Sequence, residues 1–373
     1  MKLSFVKAFI IVSVGMLTSC GGGGSASTSV SDIQASQLVF GQPGTITVSG
    51  VLLDAGITVS AQGCANLSQA TNPSAQPSAP QSSTSQTWTC VITKAGVGAL
   101  NVEVATTSGT LLKAQSFDIA LPTSPVVAAI EVDRLMYAKS SQFTITGYML
   151  DKDIKINSRN CKGLALLAGG TSTQKAVTCK IGAVGKAAVG FDALLPDGTA
   201  LKSKTFDVPA PQVTLVTDLG TAVIELDAVA TPLTTTNFLQ YVNDRFYDNT
   251  IIHRIVTSSI FVAQGGWLTP APAVQSGQRA AISLEVGKGL SNVRGTIAMA
   301  RAAEANSATS QYFLNLADNV ALDTASGGYA VFGKLVSGLS LLDALAGIST
   351  SAQYGLSDFP SQSVTVQSAS QTQ

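Results

Sequence analysis

Along most of this chain, apolar and polar residues alternate in short runs. Thr45-Ile46-Thr47-Val48 and Phe143-Thr144-Ile145-Thr146 put every second side chain on one apolar face, the period of a half-buried β-strand. Turn residues separate such runs at short intervals, which predicts many short antiparallel strands. From Val213 the texture changes. VTLVTDLGTAVIELD reads as two strands around a turn at Asp218-Leu219-Gly220. Thr234 to Val242, TTTNFLQYV, switches to helical spacing, with Phe238, Leu239 and Val242 on one face behind a Thr-rich start. A second helix is expected over Gly338 to Ile348, turning Leu339, Leu342 and Leu345 inward, with Leu341 as a further candidate. With strand and loop between them, the pattern predicts a closed antiparallel β-barrel capped by two helices. The chain as a whole is expected to be mainly β.

The part before Val213 repeats itself. GTITVSG, ending at Gly50, matches QFTITG, ending at Gly147; GVLLD (Gly50 to Asp54) matches GYMLD (Gly147 to Asp151). A Cys follows each Gly at the same distance, Cys64 and Cys161, and Thr89-Cys90 matches Thr178-Cys179. Asp118 and Asp207 lie at equal distances beyond the second Cys, and Lys113 matches Lys202. The copies differ most between their two cysteines, where the first carries extra Ser/Thr/Pro/Gln-rich sequence from Ser68 to Gln86. Each unit has the length and turn spacing of a small β-sandwich, broadly Ig-like. Four cysteines allow three pairings. Cys64–Cys90 with Cys161–Cys179 keeps each bridge inside one unit; buried free thiols are the alternative. The units read as spacer or docking modules, or else as ligand-binding modules, for which no acidic calcium loop or aromatic platform speaks.

Met1 to Leu17, MKLSFVKAFIIVSVGML, puts two lysines before an apolar run that ends at Leu17. The run is too short to span a bilayer, which needs about 20 residues, and it fits a secretory leader. It closes on Leu17-Thr18-Ser19-Cys20, which resembles the lipobox of bacterial lipoproteins. That resemblance implies acylation of Cys20 and a cell-envelope protein held to a membrane, here expected to be the outer membrane with the chain facing the periplasm. GGGGSASTS, Gly21 to Ser29, follows as a flexible tether. In an exported protein, disulfides persist. The expected boundaries are 1–19 for the leader, 20–31 for the tether, 32–122 and 123–210 for the repeats, 211–366 for the C-terminal domain and 367–373 for a tail.

Composition narrows the chemistry. The 373 residues carry 22 Lys plus Arg against 22 Asp plus Glu, and 45% are hydrophobic. So even a balance offers no basic surface for nucleic acid. His253 is the single histidine, so a His-rich zinc site is excluded. There is no G-x-S-x-G elbow and no phosphate-binding G-x-x-x-x-G-K-[ST] loop. No metal and no cofactor are expected.

Five motifs then fall in order. They are NFLQYVNDRFYDNTIIHRI, FVAQGG (Phe261 to Gly266), GLSNVRGTIAMAR (Gly289 to Arg301), SATSQYFLNLADN (Ser307 to Asn319) and GGYAVFGKLVSGLSLLDAL (Gly327 to Leu345). Together they resemble the cyclophilins, from Val213 to about Ser363. The resemblance implies a peptidyl-prolyl cis-trans isomerase acting on proline-containing polypeptides. Rotation about an X–Pro bond has a barrier of about 20 kcal/mol from amide resonance. A donor aimed at the prolyl nitrogen draws its lone pair out of that resonance, and no covalent step is needed. By resemblance Arg254 is that donor, with Phe261 and Gln264 beside it. Phe261 and Phe313 form the floor and wall of the proline pocket, Val262 and Leu322 lie beside them, and Tyr329 closes the rim. The backbone of Ala300, Arg301 and Ala302 pairs with the extended peptide, Gln311 lies beside the groove, and His253 is packed rather than catalytic.

The sequence departs from the family pattern in four places. Six residues, Ile255 to Ile260, separate Arg254 from Phe261, two more than the common spacing, which would shift Arg254 relative to the pocket. Ala321 stands where many eukaryotic members have a Trp, which implies weak cyclosporin binding. Tyr329 replaces the pocket His. One extra residue lies between Met299 and Gln311, as in bacterial members. The expected function is isomerisation that assists the folding of exported proteins; the alternative is a catalytically weak, cyclophilin-like peptide-binding or chaperone scaffold.

Overall fold

The computed structural model describes residues 27–70 and 84–373. The leader, Cys20 and the start of the tether lie outside the described residues. The chain divides into two compact units, one ending at Leu121 and one beginning at Pro122.

The first unit contains β1 (Ser29–Ser36), β2 (Pro43–Val51), β3 (Ile57–Gln62), β4 (Cys64–Gln69), β5 (Ser85–Ile92), β6 (Gly96–Thr106) and β7 (Leu111–Ile119). They form two antiparallel sheets in the orders β1-β2-β5-β4 and β3-β6-β7. The alternation seen in the sequence sets the faces: Ile46 and Val48 on β2 are fully buried while their neighbours are not. β1 begins inside the stretch expected to be tether, because Ile33 needs a core position and finds it opposite Val48.

The second unit opens with the other repeat: β8 (Val126–Val132), β9 (Ser140–Tyr148), β10 (Lys155–Arg159), β11 (Cys161–Leu166), β12 (Gln174–Ile181), β13 (Gly185–Leu194) and β14 (Ala200–Val208). Its sheets have the same orders, β11-β12-β9-β8 and β10-β13-β14. Phe143, Phe191 and Phe206 meet in its core.

The residues that the two copies share do the same work in each. Lys113 Nζ donates to the Ser31 carbonyl at 2.6 Å, and Lys202 Nζ to the Ala128 carbonyl at 2.7 Å. Asp118 accepts the Gly98 N–H and Asp207 the Ala187 N–H, both at 2.7 Å. A Cβ at Gly50 would lie 2.0 Å from the Ser29 carbonyl oxygen, and one at Gly147 2.0 Å from that of Val126. Only glycine fits where the first strand of each copy crosses so closely. Disulfides join Cys64 to Cys90, with Cα atoms 5.7 Å apart, and Cys161 to Cys179, 5.4 Å apart. Each bridge stays inside one repeat.

The rest of the second unit contains β15 (Gln212–Thr217), β16 (Gly220–Leu226), α1 (Pro232–Asn243), β17 (Thr250–Ile251), β18 (Arg254–Thr257), β19 (Phe261–Gly265), β20 (Thr296–Met299), β21 (Tyr312–Asn315), β22 (Val331–Ser337), α2 (Ser340–Ala346), β23 (Thr350–Gln353), β24 (Leu356–Pro360) and β25 (Thr365–Gln371). Nine strands make one antiparallel, barrel-like sheet in the order β17-β25-β15-β16-β22-β20-β21-β19-β18. A fully closed ladder was expected, and the sheet instead has two ends, β17 and β18. These are consecutive in the chain and parted by Ile252 and His253. The Ile252 N–H bonds the Val364 carbonyl, while the His253 N–H bonds that of Gln264. The strand therefore changes partners at this point and cannot run on as one ladder.

Two further expectations are corrected here. Residues from 367 are no tail: β25 pairs with β15 and β17 and buries Val366 and Ala369. Leu339 is 49% exposed, and Leu341 takes the inward position beside Leu342 and Leu345. Leu339 is the N-cap of α2, which runs from Ser340, and it stands at the exposed end of the helix.

Helix α1 starts at a Pro, whose missing N–H is no loss in a first turn. The Glu285 carboxylate accepts the N–H groups of Leu233 and Thr234 at 3.2 and 2.7 Å, satisfying donors that the helix cannot. The opposite face buries Phe238, Leu239, Tyr241 and Val242 against Tyr247, Tyr312 and Phe332.

Candidate active site

β18 and β19 form a hairpin that carries the reactive edge. Its register sets Arg254 directly opposite Gln264, and Thr257 opposite Phe261. β19 pairs onward with β21, putting Gln264 opposite Phe313, and β20 adds Ala298 on the far side of Phe313. Period-2 alternation then sorts the hairpin. Val262 and Gln264 face outward to a surface cavity, while Ala263 turns into the barrel core.

That cavity, of about 120 Å3, is lined by Arg254, Val262, Gln264, Phe313, Leu322 and Tyr329, with Ile260, Ala300 and Arg301 completing it. Its apolar base is continuous with a small cluster of Val256, Val262, Ala298, Phe313, Leu322 and Val331. Phe313 is 4% exposed and meets the Tyr329 ring edge-on, with centroids 5.8 Å apart. The polar side is equally ordered. Gln264 Nε2 donates to Gln311 Oε1 at 2.8 Å, and Gln264 Oε1 accepts from Arg254 Nη1 at 3.4 Å.

Eight of the expected site residues thus share one cavity, with Gln311 joined to it through Gln264. Phe261 and Ala302 do not line it. Phe261 is 38% exposed and lies one residue out of phase with Val262 and Gln264 on β19. Its backbone is clamped instead: its N–H donates to Asn319 Oδ1 at 2.9 Å, and its carbonyl accepts from Asn319 Nδ2 at 2.8 Å. Ala302 is exposed beyond the end of β20. Arg301 curls back onto the 326–328 loop, bonding the Gly328 carbonyl and stacking 4.9 Å from the Tyr329 ring centroid.

With the two-residue insertion in place, Arg254 is paired opposite Gln264. Ser258, Ser259 and Ile260 form the hairpin turn, beyond the last paired residues Thr257 and Phe261. Only the tip is lengthened, and Ile260 folds back as part of the cavity wall. Reasoning from sequence missed Ile260, although an isolated apolar residue after two serines was a usable signal. It also missed Asp358, which accepts from Arg254 Nε at 3.4 Å across 104 residues, a separation that leaves no local pattern.

A buried polar chain fixes the wall opposite the hairpin. Asp323 accepts the N–H and Nδ2 of Asn292, both at 2.8 Å. Asn315 Nδ2 donates to Asn292 Oδ1 at 3.1 Å, and Asn319 Nδ2 to Asn315 Oδ1 at 2.8 Å. Burial pushes the Asp323 carboxyl upward, but hydrogen bonds from Ser291 and Asn292 outweigh it and hold the pKa below its ordinary value.

Residues 212–371 match the family described as cyclophilin type peptidyl-prolyl cis-trans isomerase/CLD. Over 159 residues the chain is 40% identical to peptidyl-prolyl cis-trans isomerase A of Dickeya dadantii, covering 42% of this chain and 82% of that protein. This chain belongs to the cyclophilin-type peptidyl-prolyl cis-trans isomerase family. The cyclophilin domain is also 41% identical over 162 residues to a peptidyl-prolyl cis-trans isomerase of Streptomyces antibioticus, covering 42% of this chain and 96% of that protein. Among solved structures, a Cryptosporidium parvum cyclophilin crystallised with the dipeptide Ala-Pro aligns with TM-score 0.37 at 23% identity, covering 43% of this chain and 99% of that one.

In the cyclophilin domain His253 lies directly before Arg254 yet is 1% exposed, edge-on to Trp267 with ring centroids 5.3 Å apart. Burial lowers its pKa from 6.5 to about 4. The imidazole is neutral at neutral pH. Gly265 and Gly266 follow Gln264 because the chain turns hard against its neighbours: Gly266 has φ +83, and a Cβ there would lie 2.7 Å from the Ser310 carbonyl oxygen.

Proposed function

We propose that this chain is an exported, lipid-anchored cyclophilin that isomerises X–Pro bonds in polypeptides folding in the cell envelope. The observation that carries the catalytic part is the register of β18 on β19. It sets an always-charged guanidinium beside a fixed Gln264, on the rim of an apolar cavity based on Phe313. A proline ring in the cavity would bring its nitrogen to Arg254. The planar guanidinium presents several donors in a fixed fork. Donation to the prolyl nitrogen favours a pyramidal nitrogen over the planar amide, and so stabilises the twisted transition state more than either isomer. Exclusion of water by Val262, Phe313, Leu322 and Tyr329 strengthens that interaction.

The anchor rests on the lysine-bearing leader and the Leu17-Thr18-Ser19-Cys20 sequence; two acyl chains would suffice for stable attachment. Outer-membrane placement facing the periplasm belongs to the same reading. The repeats are read as Ig-like sandwiches, supported by seven strands each, divided four and three in the constant-type order. Their shared Gly, Asp and Lys residues are used in holding the sandwiches together, which favours a structural role over ligand binding.

The test is cis-to-trans isomerisation of a short Ala-Pro peptide by the full chain and by Arg254→Ala. Acceleration by the wild type, lost in large part in the variant, supports the reading. A folded wild type without turnover overturns it in favour of a peptide-binding scaffold.

A further inference from the structure

Arg254 is held from two sides. Nη1 donates to Gln264 on β19, and Nε donates to Asp358 Oδ2 on β24, each at 3.4 Å. The other end of the guanidinium, Nη2, has no protein acceptor among the described residues. The carboxylate is itself placed. Ser357 Oγ donates to Asp358 Oδ2 at 3.0 Å, and the next residue, Phe359, is 7% exposed among Ile251, Leu268 and Trp267. β24 is thereby held beside β18, and Asp358 reaches the guanidinium without itself lining the cavity.

We propose that Asp358 is a positioning residue for isomerisation, fixing the plane of the Arg254 guanidinium so that Nη2 faces the cavity. The proposal rests on Arg254 being the donor. A free arginine side chain samples many rotamers, and each must be lost before it can donate to the prolyl nitrogen. Two acceptors on different elements remove most of that freedom before substrate arrives. Both contacts are long, leaving room to tighten once a bound peptide excludes water. The two side chains are 35% and 31% exposed, and an ion pair so open to solvent adds little to stability. Loss of Asp358 is therefore expected to appear in turnover and not in melting.

The experiment compares wild type, Asp358→Ala, Asp358→Asn, Arg254→Ala and Arg254→Ala/Asp358→Ala as full chains. It reads kcat, KM and Tm with an Ala-Pro peptide. The expectation is that Asp358→Ala lowers kcat about five-fold, with KM and Tm unchanged. Asp358→Asn keeps an acceptor for Nε and is expected within about two-fold of wild type. On the Arg254→Ala background, Asp358→Ala is expected to add nothing. Wild-type kcat in Asp358→Ala, with the rate lost in Arg254→Ala, overturns the positioning role and leaves the Arg254 reading standing. A lowered Tm in Asp358→Ala without rescue by Asn makes Asp358 a strut of the hairpin and overturns it too. A rate retained in Arg254→Ala removes the donor reading itself.

Discussion

Gln371 Nε2 donates to the main-chain carbonyl of Tyr137 at 3.0 Å, joining the last strand of the cyclophilin domain to the second repeat. Tyr137 is 5% exposed and belongs to the core of the cyclophilin domain, with its hydroxyl 3.1 Å from Thr236 Oγ1 on α1. Arg134 bonds the Thr372 carbonyl beside it. A repeat that fills part of its neighbour's core is no detachable spacer. Tyr137→Ala is expected to destabilise the second unit by about 3 kcal/mol, the usual cost of emptying a buried aromatic site. Calorimetry of the wild type should show the second repeat and the cyclophilin domain melting together. An unchanged Tm in Tyr137→Ala would refute the coupling.

Tyr329 closes the pocket through its edge-on contact with Phe313 and its stack under Arg301. Aromatic pairs of this kind contribute about 0.5–1.5 kcal/mol. Tyr329→Ala is therefore expected to raise KM for an Ala-Pro peptide roughly two- to ten-fold, with kcat within about two-fold. A fall in kcat at constant KM would assign Tyr329 to the transition state instead.

The insertion makes a separate prediction. Ile260 lends one apolar wall to the cavity, while the register behind it holds Arg254 opposite Gln264. Ile260→Ala should raise KM a few-fold, since about 1 kcal/mol of apolar contact is lost, and leave kcat near wild type. A large drop in kcat would mean that the turn does help to place Arg254.

His253 sets a pH dependence of stability. Its pKa is about 4 in the fold against an ordinary value of 6.5. Between these values the unfolded chain takes up a proton that the folded chain refuses. Stability is complete above pH 6.5 and falls as pH drops towards 4, by roughly 3 kcal/mol in all. Urea unfolding at pH 7.5 and 4.5 measures this. His253→Gln should flatten the difference, and a slope equally steep in that variant would place its origin elsewhere. The rate between pH 6 and 9 should show no histidine titration.

Much of this was legible in the sequence for a physical reason. Alternation determines which face of a strand is apolar, so Ile46, Val48, Phe143 and Ile145 announced their burial. The duplicated Gly, Asp and Lys positions announced two copies of one unit, each with a four-stranded and a three-stranded sheet. Local motifs carried Arg254, Gln264, Phe313 and Leu322, because each lies on a short element whose neighbours are close in the chain. Phe261 was misjudged by one residue of phase: a motif names neighbours in sequence, whereas the pleat decides which of them turn to the cavity.

What only the tertiary structure decided involves contacts between distant segments. The two extra residues after Arg254 are neutral or disruptive depending on the register of β18 against β19, and the pairing found sets Arg254 opposite Gln264 with the extra residues in the turn. Asp358 reaches Arg254 because Phe359 anchors β24 in a separate apolar cluster. Tyr137 enters the core of the cyclophilin domain because β25 continues to Gln371 and leaves its carbonyl a partner. Sequence by itself determined the local period, the repeats and the chemistry of the motif residues, since these depend on neighbours along the chain. Register, the second partner of Arg254 and the union of repeat with enzyme depend on which distant surfaces bury one another, and that is decided only on folding.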